Sequence, residues 1–412
     1  MKGAGVKDSP TTAPIDVLII GAGPAGITLA RALQGKKRCV IFEMGGLEPC
    51  DDLQVLHDGP LHVHGMSQIS TFYDYLSRSR QFRIGGSSGH WANYTRELCE
   101  IDFERGWPFP KSTLAPYYLK AYELCQVPPI VDPPSTGFAS LDRAGRVKAH
   151  VYHARKDPVN FAQYRDGLEI RRAEVTDICD DGVLLAGEFV KAKAVVLAAG
   201  GIENPRLLYR FNTHRRFPWD RDLGKNFQEH LHLDVGRIKF NVPVNLKDYE
   251  FLIPQDRAIS LVLKDPPGLH GQIDIDDMGT HLRLRFIMEH AKKSYVFLDV
   301  PCVQLRLSEE GWNSICHFLD VLKEDFGGDA EIETPFRGVF DLDLMAQSIV
   351  QYGSHHCGTT AMGKVVDSNL ELLGFPGIFV LGSSVFPSAG HAPPTLTIVA
   401  LALRLAEHLE TL

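Results

Sequence analysis

The sequence predicts an α/β fold, in which a parallel sheet with helices against it carries an inserted antiparallel-sheet domain. Two apolar runs predict the parallel part. Ile15-Asp16-Val17-Leu18-Ile19-Ile20 and Lys193-Ala194-Val195-Val196-Leu197-Ala198-Ala199 each end at glycine, as strands buried on both faces do. A third stretch, His281-Leu282-Arg283-Leu284-Arg285-Phe286-Ile287, alternates apolar and polar side chains, the pattern of a half-exposed antiparallel strand.

The remaining elements follow in order. After a loose polar leader and the first strand, Pro24 opens a helix with Ile27, Ala30 and Leu33 on one side. Arg38 to Phe42 reads as the second strand, and strand, helix and strand in about thirty residues make a right-handed βαβ unit. A helix from about Leu114 to Leu124 runs into a loop marked by Val127-Pro128-Pro129 and Asp132-Pro133-Pro134. Pro205-Arg206-Leu207-Leu208 starts the helix after the strand at 193–199. From Val235 to about Ala346 the character changes to alternating strands, with a helix from about Glu309 to Leu322 whose Trp312 and Phe318 read as core. A strand at Ile378–Leu381 and an amphipathic helix at Ile398–Leu409 close the chain. The expected organisation is residues 1–234 with 347–412 as one discontinuous domain, and 235–346 as a cap inserted into it.

Composition bounds the function. With 412 residues, 44% hydrophobic and 23% charged, the chain has the make-up of an ordinary globular protein, and its composition disfavours disorder. A net charge of −8 disfavours nucleic acid or an anionic membrane as partner and suits a small-molecule substrate. The eight cysteines, at 39, 50, 99, 125, 179, 302, 316 and 357, show neither a CxxC pair nor metal-like spacing, and read as reduced thiols of a cytoplasmic protein. The run from Val17 to Ala30 is broken by Gly21, Gly23, Pro24 and Gly26, so it is not a signal segment, and no stretch has the length of a membrane span. His57, His62 and His64 lack a Cys or Glu to complete a metal set and read as a surface cluster; no metal is expected.

Gly21-Ala22-Gly23-Pro24-Ala25-Gly26 follows a strand and opens a helix, with Glu43 at the end of the next strand. This is the arrangement that binds a dinucleotide: Gly21 permits the turn, Gly23 lets a pyrophosphate approach the backbone, and Gly26 lets helix and strand pack. The helix N-terminus adds amide donors and a positive dipole, while Glu43 suits the adenosine ribose hydroxyls. The motif alone does not separate FAD from NAD. No second G-x-G-x-x-G occurs, which disfavours a separate nicotinamide fold.

A Gly/Ser-rich loop, Arg83-Ile84-Gly85-Gly86-Ser87-Ser88-Gly89-His90-Trp91-Ala92-Asn93, is able to wrap phosphates and a ring with backbone amides. Near the other end lie Ser354-His355-His356-Cys357-Gly358-Thr359 and Gly390-His391-Ala392-Pro393-Pro394-Thr395-Leu396-Thr397. Together these resemble the flavin-contacting loop and the C-terminal signature of the glucose-methanol-choline (GMC) oxidoreductases. Gly106-Trp107-Pro108, Leu114 to Tyr118, Ala198 to Leu207 and Leu223 to His230 continue the likeness. The resemblance implies the GMC fold, a Rossmann-like FAD-binding domain with a substrate cap, and FAD as cofactor. Its implied cofactor contacts are Gly21, Gly23, Pro24, Ala25, Gly26, Glu43, Arg83, Gly85, Gly86, Ser87, Ser88, His90, Trp91, Asn93, Val175, Ala199, Gly200, Gly382, Ser383, His391, Pro394 and Thr395. Some relatives bind flavin covalently through a His in a similar His-Trp context. The expectation here is noncovalent FAD, with a link through His90 left open.

The resemblance further implies oxidation of a CH–OH group in a sugar, polyol or natural-product alcohol, with hydride passing to flavin N5. Imidazole suits the base, because its ordinary pKa of about 6.5 lets it accept a proton near neutrality. The matching residue is His355, with His356 directed elsewhere. The family's partner Asn falls at Pro393, which has no N–H and no polar side chain. Either His391 takes that role as ligand of the substrate oxygen, or the reaction has changed to non-redox chemistry of a lyase, isomerase or cyclase kind. The chain is short for the family around 127–170 and in the cap, which suits a bulky or carrier-held substrate. The electron acceptor, oxygen or a carrier, is not written in the motifs.

Overall fold

The computed structural model describes residues 14–64, 69–153, 155, 157–211, 220–241, 257–264, 271–277, 282–288 and 294–412. The leader at 1–13 and His281 lie outside the described residues.

The strand Ile15–Ile20 forms as expected and is the centre of a parallel sheet. It pairs with Cys39–Glu43 on one side and Glu188–Leu197 on the other, and the sheet extends to Glu169–Arg172 and Ile378–Val380, all parallel. Strands Gly182–Leu185 and Asp177–Cys179 continue it as an antiparallel meander. Helices Pro24–Ala32, Ala115–Cys125 and Thr395–Thr411 pack together beside it. The centre of the sheet carries near-continuous apolar runs because both its faces are covered, and Leu18, Ile19, Val196 and Leu197 have no exposed surface.

One helix boundary differs from expectation. The helix after Glu188–Leu197 begins at Gly200, not Pro205, and runs to Phe211 with the proline inside it. Proline has no N–H for the carbonyl four residues earlier, which is Gly201 O. That carbonyl is met instead by Thr359 Oγ1–H at 2.6 Å. The helix thereby tolerates Pro205, and its first turn is tied to the C-terminal signature.

The antiparallel sheet has the strand order Ala330–Glu333, Leu231–Phe240, Leu282–Met288, Gly271–Asp277, Arg257–Leu263 and Val147–His153, with Ile349–Tyr352 also on Leu231–Phe240. Leu282–Met288 is antiparallel to both neighbours, as its alternation predicts. This sheet does not keep within 235–346. Val147–His153 joins it from well upstream, pairing His150 with Ser260, and Ile349–Tyr352 joins from downstream. The helix Glu309–Phe326 closes one face with Trp312 and Phe318 buried, in line with their reading as core. Ser308 caps it by accepting the Gly311 N–H, one of the donors a helix start leaves unpaired. A small four-stranded sheet, ordered Tyr295–Val296, Val303–Arg306, Leu61–His64 and Ile69–Phe72, completes the fold. His62 sits in it with Nδ1 3.0 Å from Thr71 Oγ1, and the His57 ring packs, tilted, against Phe82.

Candidate active site

The glycine turn and the Gly/Ser loop are one structure. Gly85 N–H donates to Ala22 O at 2.8 Å, and a Cβ on Gly86 would stand 3.0 Å from Gly23 Cα, so the two turns touch backbone to backbone. Pro24 and Ala25 open the helix Pro24–Ala32 behind Gly23. Glu43 braces the turn: Oε2 accepts from Ala22 N–H and Oε1 from Gly45 N–H, both at 2.9 Å. Burial holds its carboxyl above the usual range against these hydrogen bonds. Each oxygen keeps a second lone pair for a ribose hydroxyl.

Within the loop, Ser88 Oγ donates to Gly85 O at 2.6 Å and accepts from Phe161 N–H at 2.9 Å, so this hydroxyl fastens the loop to the chain behind it. Trp91 Nε1–H donates to Val159 O at 2.8 Å, and Arg83 donates to Leu47 O. Ser87 and His90 are exposed. Asn93 stands apart. It has φ +56°, no exposed surface, and neither Oδ1 nor Nδ2 has a partner. A buried amide with nothing to bond costs free energy, which a bound polar ligand would recover. Val175 is buried between the strands at 169–172 and 177–179; Ala199 N–H caps onto Asn204 Oδ1 at 2.9 Å, beside Gly200 at the helix start. Pro394 and Thr395 form the N-terminus of Thr395–Thr411.

The segment Leu223–His230 ties the two halves of the C-terminal signature together. The backbone of Gln228 exchanges hydrogen bonds with Cys357 at 3.0 Å each way; its side chain accepts from Ala389 N–H at 2.8 Å and donates to Pro387 O at 3.2 Å. Ser383 Oγ, after Gly382, adds a bond to His356 O at 2.7 Å. Glu229 Oε1 accepts the backbone N–H of both His230, at 2.8 Å, and His355, at 2.9 Å, while Tyr75 Oη donates to Oε2. Burial raises the Glu229 carboxyl to about 7 despite these donors. One carboxyl oxygen therefore sets the spacing of two histidines.

The rings of those histidines meet. His230 Nδ1 lies 2.7 Å from His355 Nδ1, and His230 Nε2 lies 2.7 Å from Gly390 O. A carbonyl only accepts, so His230 Nε2 carries hydrogen, and in neutral His230 the lone pair is then on Nδ1. That lone pair accepts Nδ1–H of His355, which leaves His355 Nε2 as a bare lone pair. Burial, then the neighbouring His230, His232 and His356, pushes the His355 pKa well below its ordinary value, so the ring is neutral. His356 turns elsewhere: Tyr75, whose proton goes to Glu229, accepts His356 Nε2–H at 3.1 Å. Burial brings the His356 pKa to about 3.

His391 is buried, with Nε2 3.1 Å from His150 Nδ1 and 4.0 Å from Cys99 Sγ. Its neighbour Gly390 has φ +63°, and a Cβ there would stand 2.6–2.8 Å from the Asp102 carboxyl, so only glycine fits. His391 thus faces a strand of the antiparallel sheet. His230 and Glu229 lay inside a matching sequence stretch without an assigned role; Tyr75, His150 and Cys99 carried no sequence signal, being brought in by the tertiary fold alone.

Residues 319–402 match the family model described as GMC oxidoreductase. An uncharacterized protein of Methanocaldococcus jannaschii is 22% identical over 96% of this chain and 99% of its own. Among solved structures, pyridoxine 4-oxidase from Mesorbium loti superposes with a TM-score of 0.67 at 17% identity, covering 96% of this chain and 99% of that one. Formate oxidase of Aspergillus oryzae, in a variant studied for FAD modification, gives 0.65 at 15% identity, covering 97% and 98%. The chain carries the C-terminal domain of the GMC oxidoreductases, on the fold it shares with these oxidases.

Proposed function

We propose that this protein is an FAD-dependent oxidoreductase acting on a CH–OH group, with His355 Nε2 as the base. The observation that carries the reading is the hydrogen-bond chain Gly390 O, His230, His355, which orients a neutral imidazole with its lone pair outward. FAD fits the residues present. The touching turns at 21–26 and 85–89 bring two glycine-rich backbones together, with no atom within 4 Å of a Cβ on Gly23, and Asn93 offers an unpartnered, buried amide. When bound, FAD supplies the acceptor for the hydride of the carbinol carbon. The chain's own task is to hold the alcohol and take its hydroxyl proton onto His355 Nε2, which becomes an imidazolium still bonded through Nδ1 to His230. The low pKa of His355 keeps that nitrogen free to accept at neutral pH. The flavin is taken as noncovalent, with a link through His90 as the alternative. Sugars, polyols and natural-product alcohols, free or carrier-held, make up the substrate class, with oxygen or a carrier as acceptor.

The test is anaerobic mixing of the purified flavoprotein with a panel of such alcohols, following the oxidised flavin band. Bleaching by at least one alcohol, lost in H355A at unchanged flavin content, is expected. Bleaching that persists at the native rate in H355A removes His355 as base. A second reading, non-redox chemistry on the same scaffold, is favoured by Pro393 together with a His391 whose Nε2 is turned to His150. Product formed without any bleaching would select it.

A further inference from the structure

We propose that Cys99, His150 and His391 bind a transition-metal ion of the zinc type. One ligand atom from each of the three lies within 4.8 Å of the others, His391 Nε2 being 3.1 Å from His150 Nδ1 and 4.0 Å from Cys99 Sγ. They come from three distant parts of the chain: the residue before the helix Glu100–Phe103, the strand Val147–His153, and the loop before the helix Thr395–Thr411.

The spacing suits an ion. With metal bonds of about 2.05 Å to nitrogen and 2.3 Å to sulfur, the 3.1 Å between the two nitrogens subtends about 98° at the metal, and the 4.0 Å from sulfur to His391 about 134°. Both belong to a distorted tetrahedron. The widest separation, at most 4.8 Å, needs to close by under about an ångström. One thiolate and two imidazoles form the donor set preferred by Zn(II) over Mg(II) or Ca(II), and three protein ligands leave one position open.

The surroundings are those of a prepared site. His150 Nε2 lies 3.9 Å from Asp132 Oδ2, so a carboxylate stands near this ring without a hydrogen bond to it. Asp132 is itself fixed, by a two-pronged bond from Arg96 at 2.6 and 2.7 Å and by Val151 N–H at 2.9 Å. Cys99 is held through its backbone N–H on Asp102 Oδ2 at 2.7 Å, and His391 by the Gly390 turn packed on the same carboxyl. Binding takes the Cys99 proton to solvent and puts thiolate, two neutral imidazoles and the dication together, a net charge of one at the ion. Without an ion, the same atoms make an imidazole–imidazole hydrogen bond at 3.1 Å and a long thiol contact at 4.0 Å, which is the alternative the experiment decides against. The ion would staple the antiparallel sheet to the loop that carries Pro393.

The experiment uses the untagged full chain with its flavin, and reads metal rather than turnover, so it does not depend on the proposed reaction. Zinc is measured by elemental analysis beside flavin absorbance, and cobalt(II) is added after chelator treatment. About one zinc per chain is expected, and cobalt should give ligand-field bands beyond the flavin absorption with a thiolate charge-transfer band in the difference spectrum. C99S and H150Q should each retain less than about a tenth of the metal at unchanged flavin content, and D132N should weaken binding about 10–100-fold. Flavin-replete protein with no zinc and no cobalt bands would overturn the proposal, leaving a hydrogen-bonded histidine pair. Metal retained equally in C99S and H150Q would overturn it as well.

Discussion

Replacing His230 with leucine tests the orientation of the base. The substitution leaves His355 Nδ1–H and Gly390 O without their shared partner, each 2.7 Å from a nitrogen that has gone. An unmet buried donor or acceptor costs about 1–3 kcal/mol, so H230L should lose roughly 2–6 kcal/mol in chemical denaturation. The His355 ring is then free to carry its proton on either nitrogen. General-base catalysis is typically worth about 10²–10⁴, and the anaerobic flavin-reduction rate should fall by that order while flavin content holds. His230 also helps to depress the His355 pKa. Its removal raises that pKa, so the acid limb of the rate profile moves to higher pH, a change that mere loss of packing would not produce. H230Q keeps one acceptor and one donor on a single planar group, and should recover the rate to within roughly tenfold of native. A native rate and unshifted acid limb in H230L, or an equal loss in H230Q, would refute the assigned hydrogen-bond chain.

Three further outcomes follow from the same geometry. N93G keeps the left-handed backbone but removes the unpartnered amide; FAD affinity in fluorescence titration should drop roughly 10–100-fold, with the apoprotein no less stable. G390A combines φ +63° with a Cβ against Asp102, so it should cost at least about 1–2 kcal/mol in stability and perturb His391, read by thermal melting. The third concerns pH and Glu229, raised to about 7 from an ordinary 4.5, so that between these values the folded state holds more protons and stability is lost as pH rises. His232 and His356, lowered to about 3, act oppositely: their contribution is full above 6.5 and is lost as pH falls toward 3. E229Q removes the opposing group and should steepen the rise of stability with pH between 4.5 and 6.5 by up to about 1.4 kcal/mol per unit; an unchanged slope in denaturation series would contradict the assignment.

What the sequence made legible was local. The strand Ile15–Ile20 and the turn after it were readable because an unbroken apolar run ending in spaced glycines has few other folds open to it. His355 could be singled out because its motif is contiguous. The start of the helix at Gly200 was not, since a proline inside a helix normally marks a boundary, and the group that excuses it, the Thr359 hydroxyl, lies 158 residues away. The place of Val147–His153 in the antiparallel sheet was not legible for a similar reason: its strand partner, Arg257–Leu263, lies about a hundred residues further along the chain.

The same argument bears on Pro393. Read along the chain, it removes a polar group from beside the reacting oxygen and leaves His391 as the natural substitute. Read in space, His391 is engaged by His150, and the loop that carries both is held from the other side by His230 on Gly390 O. The backbone between the two histidine contacts is therefore clamped at adjacent residues, 390 and 391, by imidazoles on two strands of the same antiparallel sheet or at its edge. A proline two residues on restricts that backbone further by fixing its own φ. Under the proposed function, rigidity of this loop stands in for a side-chain donor at 393, and the proton transfer falls to His355.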